Sequence, residues 1–426
     1  MDLTRWSGAP PDASPAKRRN FLNVQIDAVG VGLASAASPF LPVFLTRLGA
    51  TAVQVGLLSS LPGITGLVFS IPIGQFLQSR KSIIPWFSAA RVMVIAAYAL
   101  TGLVPLLAPQ QYSVLSILAI WALVTLPQAV VGVAFTVVMS GVAGPHGRYA
   151  LMSRRWAVLG VTTAVTVALV GQVLDHIRFP LNYQVVFLSL SVGGLISYYF
   201  SSHIELPGNE AAPRTDRLNL SQLLRQYVDE IRGQPEFLRF TGKRLVYTLG
   251  TTIGTPLMPL YLVRTLNASD AWIGIVSTVG TAVVLIGYLF WPQFSRRYGP
   301  RLVLLITTLG LSVHPALVAV TDAVPMIAVY AGLAGIFQAG LNLVFFDELM
   351  KTVPAARSAS FVAAAQSMEY LATLLGPLVG TLVASTIGIE AAFLFSAAFR
   401  LAGFVLFLRQ GKAAPASPAQ PAGAGD

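Results

Sequence analysis

The stretch PFLPVFLTR, residues 39–47, opens on two prolines three positions apart, closes on an arginine and sits inside a long apolar run. Nearly the same phrase, PLMPLYLVR, returns at residues 256–264, 217 positions later in a chain of 426. Beyond Arg47 the first copy continues to Gly56, Gly74 and the basic pair Arg80-Lys81. Beyond Arg264 the second continues to Gly274, Pro292 and the pair Arg296-Arg297. The intervals Gly56–Gly74 and Gly274–Pro292 are both eighteen positions. Farther on, Pro145, Arg148 and Gly171 recur as Pro354, Arg357 and Gly380, each 209 positions later. Landmarks at nearly constant offset imply two halves of one design. With an even number of helices per half, both halves share one orientation about an axis along the membrane normal.

Composition identifies the solvent of this chain. Hydrophobic residues make up 55%, charged residues 11%, and the mean hydropathy is +0.70. A soluble domain carries about 25% charged residues, so the chain reads as a polytopic membrane protein. It has no cysteine, which excludes disulfides and thiolate chemistry. His146, His176, His203 and His314 are scattered singly, so neither a metal-ligand cluster nor a cofactor is implied. The net charge of +11 does not indicate nucleic acid, because the basic residues fall in short clusters between apolar runs. Lys17-Arg18-Arg19, Arg80-Lys81, Arg154-Arg155 and Arg296-Arg297 follow the positive-inside pattern of membrane proteins. No phosphate-loop motif of the Gly-x-x-x-x-Gly-Lys-Ser/Thr type suggests ATP, and the N-terminus lacks the pattern of a signal peptide.

Six apolar runs lie near 21–45, 53–78, 83–107, 112–140, 153–176 and 183–203, and six more near 237–263, 271–294, 301–321, 324–350, 357–387 and 389–408. Each is long enough to cross a bilayer, and backbone groups without water partners must close their hydrogen bonds within helices. The expected fold is therefore an all-α polytopic membrane protein, with twelve transmembrane helices in two six-helix halves related by pseudo-two-fold symmetry. The expected organisation is a cytoplasmic tail (1–20), an N-terminal bundle (21–203), a cytoplasmic linker (204–236), a C-terminal bundle (237–409) and a disordered tail (410–426). In the linker, NLSQLLRQYVDEIRG (219–233) repeats Leu220, Leu223, Leu224, Tyr227, Val228 and Ile231 at helical spacing. It reads either as an amphipathic helix on the inner membrane face or as a connector. With both termini cytoplasmic, 21 Lys/Arg fall inside and three (Arg47, Arg178, Arg264) outside. The opposite orientation inverts that ratio, so a multi-pass plasma (inner) membrane protein with both termini in the cytoplasm is expected.

The loops carry a family resemblance. PQFSRRYGPR (292–301) keeps Arg297, Gly299 and Arg301 of a Gly-x-x-x-Asp-Arg-x-Gly-Arg-Arg/Lys pattern, with Pro292 and Arg296 replacing its glycine and aspartate. GQFLQSRKS (74–82) keeps Gly74 and the basic Arg80, with Gln78 for the aspartate. From about residue 20 to 410 the chain resembles a transporter of the major facilitator superfamily. Departures from the drug–proton antiporters of that family are visible. LVTLPQAVVG (123–132) has Pro127 and Gln128 but no arginine, and the fifth helix has no Gly-Pro pair. The resemblance implies that the first, fourth, seventh and tenth helices line a central cavity, which singles out Asp27, Gln128, Tyr247 and Asn342.

Charges inside membrane helices are costly, about 2.5–3.5 kcal/mol at the centre, and so mark function or tight pairing. Asp27 lies on the first helix with Asn23 and Asn20 on its face. It suits proton exchange or a structural ion pair. Glu369 is the deepest carboxylate and suits proton coupling or cation recognition. Lys243 and Arg244 in the seventh helix are candidates for anion contact, or for stems that snorkel to the interface. Gln338 and Asn342 share a face of the tenth helix, and Asp347 with Glu348 near its end suggests a gate to Lys243 or Arg244. Arg91 and Arg400 read as structural.

These residues imply a secondary active transporter working by alternating access, exporting a small amphipathic compound coupled to protons. The alternatives are a permease for a metabolite anion or a lysolipid, or a receptor or scaffold with a transporter fold. An enzyme is not expected, because paired carboxylates and histidine clusters are missing from the sequence. The expected partners are a small-molecule substrate, protons and the lipid bilayer, with the protein a monomer.

Overall fold

The computed structural model describes residues 9, 13–78, 80–206, 232–353 and 358–409. The linker segment 219–231 and the tail from 410 onward lie outside the described residues. Those described form helices and no strand. The N-terminal half contains α1 (Pro15–Ser35), α2 (Phe40–Arg47), α3 (Ala52–Gln78), α4 (Ile84–Leu107), α5 (Gln110–His176) and α6 (Leu181–Ser202). The C-terminal half contains α7 (Pro235–Gly254), α8 (Leu257–Leu260), α9 (Asp270–Tyr298), α10 (Pro300–Ala319), α11 (Val324–Thr352), α12 (Ser358–Thr386) and α13 (Ile389–Leu408).

Among the described residues, eleven segments are long and apolar enough to cross a membrane. The twelfth is α7, whose first half carries Glu236, Arg239, Lys243 and Arg244. It takes its place by packing between α12 and α13. Outward-facing leucines such as Leu123, Leu169, Leu289 and Leu382 are exposed, as a lipid-facing surface requires. Helical hydrogen bonding continues through the connection between the fourth and fifth spans, so α5 holds both, at 110–143 and 154–176. The apolar runs break between residues 140 and 153, yet the helix is continuous there.

The repeated phrases begin separate outer segments. Proline lacks an N–H and fixes φ, and α1 ends at Ser35 before Pro39 opens α2. Likewise α7 ends at Gly254, Pro256 precedes α8, and a π-helical turn, Tyr261–Thr265, completes the segment. The halves join through α3 on α12 and α5 on α9. We call the side where the described chain begins and ends the terminal side, and the opposite one the far side. Toward the far side the joins are close enough for backbone contact. A Cβ on Gly171 would stand 2.9 Å from the Asp270 carbonyl and 3.2 Å from Cα of Gly274.

Inside the N-terminal half one charge cluster ties four helices. Asp27 of α1, fully buried, accepts from Arg91 of α4, from Ser197 Oγ of α6 at 2.7 Å, and from Arg155 of α5 at 3.2 Å. Arg91 also lies 4.3 Å from the Phe87 ring, and Arg155 4.6 Å from that of Phe135. A single carboxylate thus offsets two guanidiniums removed from water. Replacing Asp27 by Asn leaves both cations buried without a counter-charge, a loss of about 3–5 kcal/mol. Thermal unfolding of the purified Asp27→Asn protein is expected to show a melting point many degrees lower, whereas Glu369→Gln, beside an open cavity, lowers it only slightly.

Candidate functional site

The C-terminal half holds a cavity of about 460 Å³, extending from Thr251 at mid-depth to Met350 and Val362 near the terminal side. Arg244, Tyr247, Thr248 and Thr251 of α7 form one wall, Gln338, Asn342, Phe345 and Phe346 of α11 another, and Gln366 and Glu369 of α12 the third. Their spacing explains the convergence. Residues three and four apart share a helix face, and 244, 247/248 and 251 satisfy that spacing, as do 338, 342 and 345/346. Glu369 stands eleven residues into α12, about 16 Å along the axis, which places it within the hydrocarbon.

The chemistry centres on an ion pair. Arg244 Nη2 donates to Glu369 Oε1, and both side chains are partly accessible from the cavity. The guanidinium carbon lies 5.5 Å from the centre of the Phe345 ring, and the Arg244 Nε has no hydrogen-bond partner. A polar chain crosses the cavity rim: Gln338 donates to Asn342 at 2.7 Å, and Asn342 donates to the Tyr288 hydroxyl of α9 at 2.9 Å. Aromatic and aliphatic surface from Phe345, Phe346, Leu341 and Met350 completes the lining. The site can therefore take an apolar body and one charged or hydrogen-bonding group.

Five sequence-selected residues meet here: Arg244, Tyr247, Gln338, Asn342 and Glu369. Tyr247 contributes its ring, while its hydroxyl donates away from the cavity to the Thr308 carbonyl at 3.1 Å. Lys243 is not among the residues lining the cavity. Asp347 and Glu348 do not reach across to Arg244. They pair with Lys351 of their own helix at 2.7 and 2.8 Å, because the i+4 and i+3 positions bring that ammonium nearer than any neighbouring helix does.

The N-terminal half contributes differently. Asp27 is sealed within its cluster. Asn23 donates to the His203 carbonyl at 2.9 Å, at the end of α6, and Asn20 donates to the Glu205 carbonyl at 2.6 Å, so both fasten the terminal side. Gln128 faces a separate cavity of about 230 Å³ with Ser35, Arg91 and Tyr98. In the loops, Arg80 stacks 4.3 Å from Phe76 and 5.2 Å from Trp86, while Arg297 lies 5.3 Å from Tyr298. Gly74 lies near the end of α3, Arg301 is exposed, and Gly299 turns the chain between α9 and α10 at φ 87°, a conformation that favours glycine.

Sequence reasoning missed Tyr288, which reads as one more membrane aromatic, and Arg155, which reads as part of a loop pair. It also missed the far-side group of Arg47, Tyr183 and Asp270. Arg47 donates to Asp270 Oδ1 from Nη2 at 2.9 Å and from Nε at 3.1 Å, and Tyr183 donates to the same oxygen at 2.7 Å. Only the repeated phrase ending in Arg47 and Arg264 signals this group in the sequence.

The fold and the cavity together define a membrane-transporter architecture. The Major Facilitator Superfamily model matches residues 244–425, less than half of the chain. Among solved structures, the nucleoside transporter NupG superposes with a TM-score of 0.71 at 15% identity, covering 92% of this chain and 99% of its own. A bacterial homologue of the human lysosomal transporter Spinster, in an inward-facing and occupied conformation, gives 0.67 at 13% identity, covering 93% and 97%. Among curated proteins, the multidrug resistance protein MdtG of Serratia proteamaculans is 30% identical over 161 residues, 36% of this chain. MdtG of Proteus mirabilis is 23% identical over 166 residues, 37% of this chain. These matches span 38% and 40% of the relatives' own lengths.

Two substitutions separate lining from scaffolding. Tyr247→Phe removes a bond to the Thr308 backbone, so a stability loss of about 1 kcal/mol with transport retained is expected. Asn342→Leu breaks the chain from Gln338 to Tyr288 on the accessible surface, so transport falls about tenfold with the melting point nearly unchanged. Parallel unfolding and flux assays on the two variants check this.

Proposed function

We propose that this protein is a secondary active transporter that moves a small amphipathic compound by alternating access, coupled to protons at Glu369 and acting in export. The observation that carries the reading is the Arg244–Glu369 pair on the wall of an amphipathic cavity that extends toward the terminal side. Positive-inside counting supports a cytoplasmic terminal side, and a cavity that extends toward that side fits an inward-facing state. The name of the MdtG relatives supports export.

Charge balance explains how the pair would couple. In a low-dielectric cavity an unpaired charge is costly, so the paired resting state is favoured. A cationic amphipath must compete for the Glu369 carboxylate with a proton and with Arg244. Substrate and proton then occupy the carboxylate in turn, which is the logic of exchange. An anionic substrate has the opposite relation. It binds Arg244 most readily once a proton neutralises Glu369, and the two ligands then travel together.

The Arg244 Nε, buried without a partner, favours this second reading, a permease for a metabolite anion. The nucleoside transporter NupG, which has the same fold, takes a substrate class unlike drugs. The sign of the coupling distinguishes the two.

The test is accumulation of a cationic dye in efflux-deficient bacteria expressing the chain, with and without a protonophore, beside Glu369→Gln. Lowered accumulation that both the protonophore and the variant abolish is expected. Equal accumulation with the empty vector would overturn cation export. Proton-stimulated uptake of anionic metabolites would then establish the permease.

A further inference from the structure

The two arginines that end the repeated phrases reach in opposite directions across the boundary between the halves. Arg47, at the end of α2, donates to Asp270 Oδ1 and, from Nη2 at 3.1 Å, to the Ala268 carbonyl of the C-terminal half. Arg264, its counterpart 217 positions later, ends the segment after α8 and donates to the Ala50 carbonyl of the N-terminal half. Each arginine thus binds the backbone just beyond the other's segment, Ala50 lying three residues past Arg47 and Ala268 four past Arg264. We propose that Arg47 and Arg264 form a reciprocal clasp that holds the far side shut, and that α2 and the α8 segment are the parts that swing when it opens.

Four observations support a clasp rather than incidental surface pairing. Asp270 is nearly buried, and its Oδ1 collects three donors, two from Arg47 and one from Tyr183, both of the opposite half. Charge-assisted bonds of that kind are roughly twice as strong as neutral ones, so this contact weighs heavily in the balance between states. The segments bearing the arginines are detached from the helices below them by Pro39 and Pro256, where the ladder of backbone bonds is interrupted. They also touch each other directly, α2 against α8 and the π-helical turn. Finally, Gly171 of α5 and Gly274 of α9 bring the two halves within backbone distance beside Asp270. Such a contact closes or opens as a unit.

The chain has no cysteine, so spin labels can be introduced without background. One pair, Gln111→Cys with Ala323→Cys, reports the far side. A second pair, Lys81→Cys with Tyr298→Cys, reports the terminal side. All four positions are exposed and on loops or helix ends. In the otherwise native protein, pulsed electron-spin distances are expected to show a dominant short population on the far side and a dominant long one on the terminal side. In Arg47→Gln/Arg264→Gln the far-side distribution is expected to shift to longer distances as the terminal-side one shortens. Exchanging the charges, Arg47→Asp with Asp270→Arg on the Arg264→Gln background, should return most of the short far-side population. Distributions unchanged in the double variant would overturn the clasp. So would a broadening of both pairs without reciprocal movement, which signals loss of fold, if the charge exchange fails to reverse it.

Discussion

A charge placed in hydrocarbon must be met by another, and this requirement organises both halves of the molecule. Each half carries an ion pair between its first and fifth membrane helices. In the N-terminal half, Asp27 of α1 meets Arg155 of α5. In the C-terminal half, Arg244, the residue 217 positions after Asp27, meets Glu369 of α12. The polarity is reversed, and so is the setting. Asp27 is fully buried and shared between two arginines and a serine. Glu369 is partly accessible and lines a cavity. One pair serves as a rivet. The other stays open to the cavity.

That asymmetry distributes work within a symmetric scaffold. The rivet ties α1, α4, α5 and α6 into one body. The joins between halves are formed by small residues that permit backbone approach, as at Gly171 and Gly274. Close van der Waals packing of this kind, rather than apolar burial, holds helices together where lipid offers no hydrophobic gain.

Much of this was legible in the residues. The apolar runs gave twelve spans, and the phrase repeated at residues 39 and 256 gave their division into two halves. Helix periodicity and depth were enough to select Arg244, Gln338, Asn342 and Glu369. What sequence did not supply was pairing between helices. Whether Asp27 acts as a proton carrier or a structural partner depended on Arg155, which reads as a loop residue until α5 brings it inward. Asp347 and Glu348 found their cation three and four residues away on the same helix. Tyr183 and Asp270 carry no local signal, since their role exists only where two halves meet.

The central contrast is between a cavity-facing ion pair in the C-terminal half and a sealed counterpart in the N-terminal half. The most direct measurement is the labelling rate of single cysteines by a water-soluble maleimide in native membranes. Gln366→Cys, exposed beside Glu369, is compared with Ser197→Cys, fully buried beside Asp27. The account predicts rapid modification at position 366 and protection at position 197 until the protein is unfolded. Equal rates, or faster modification at position 197, would contradict it.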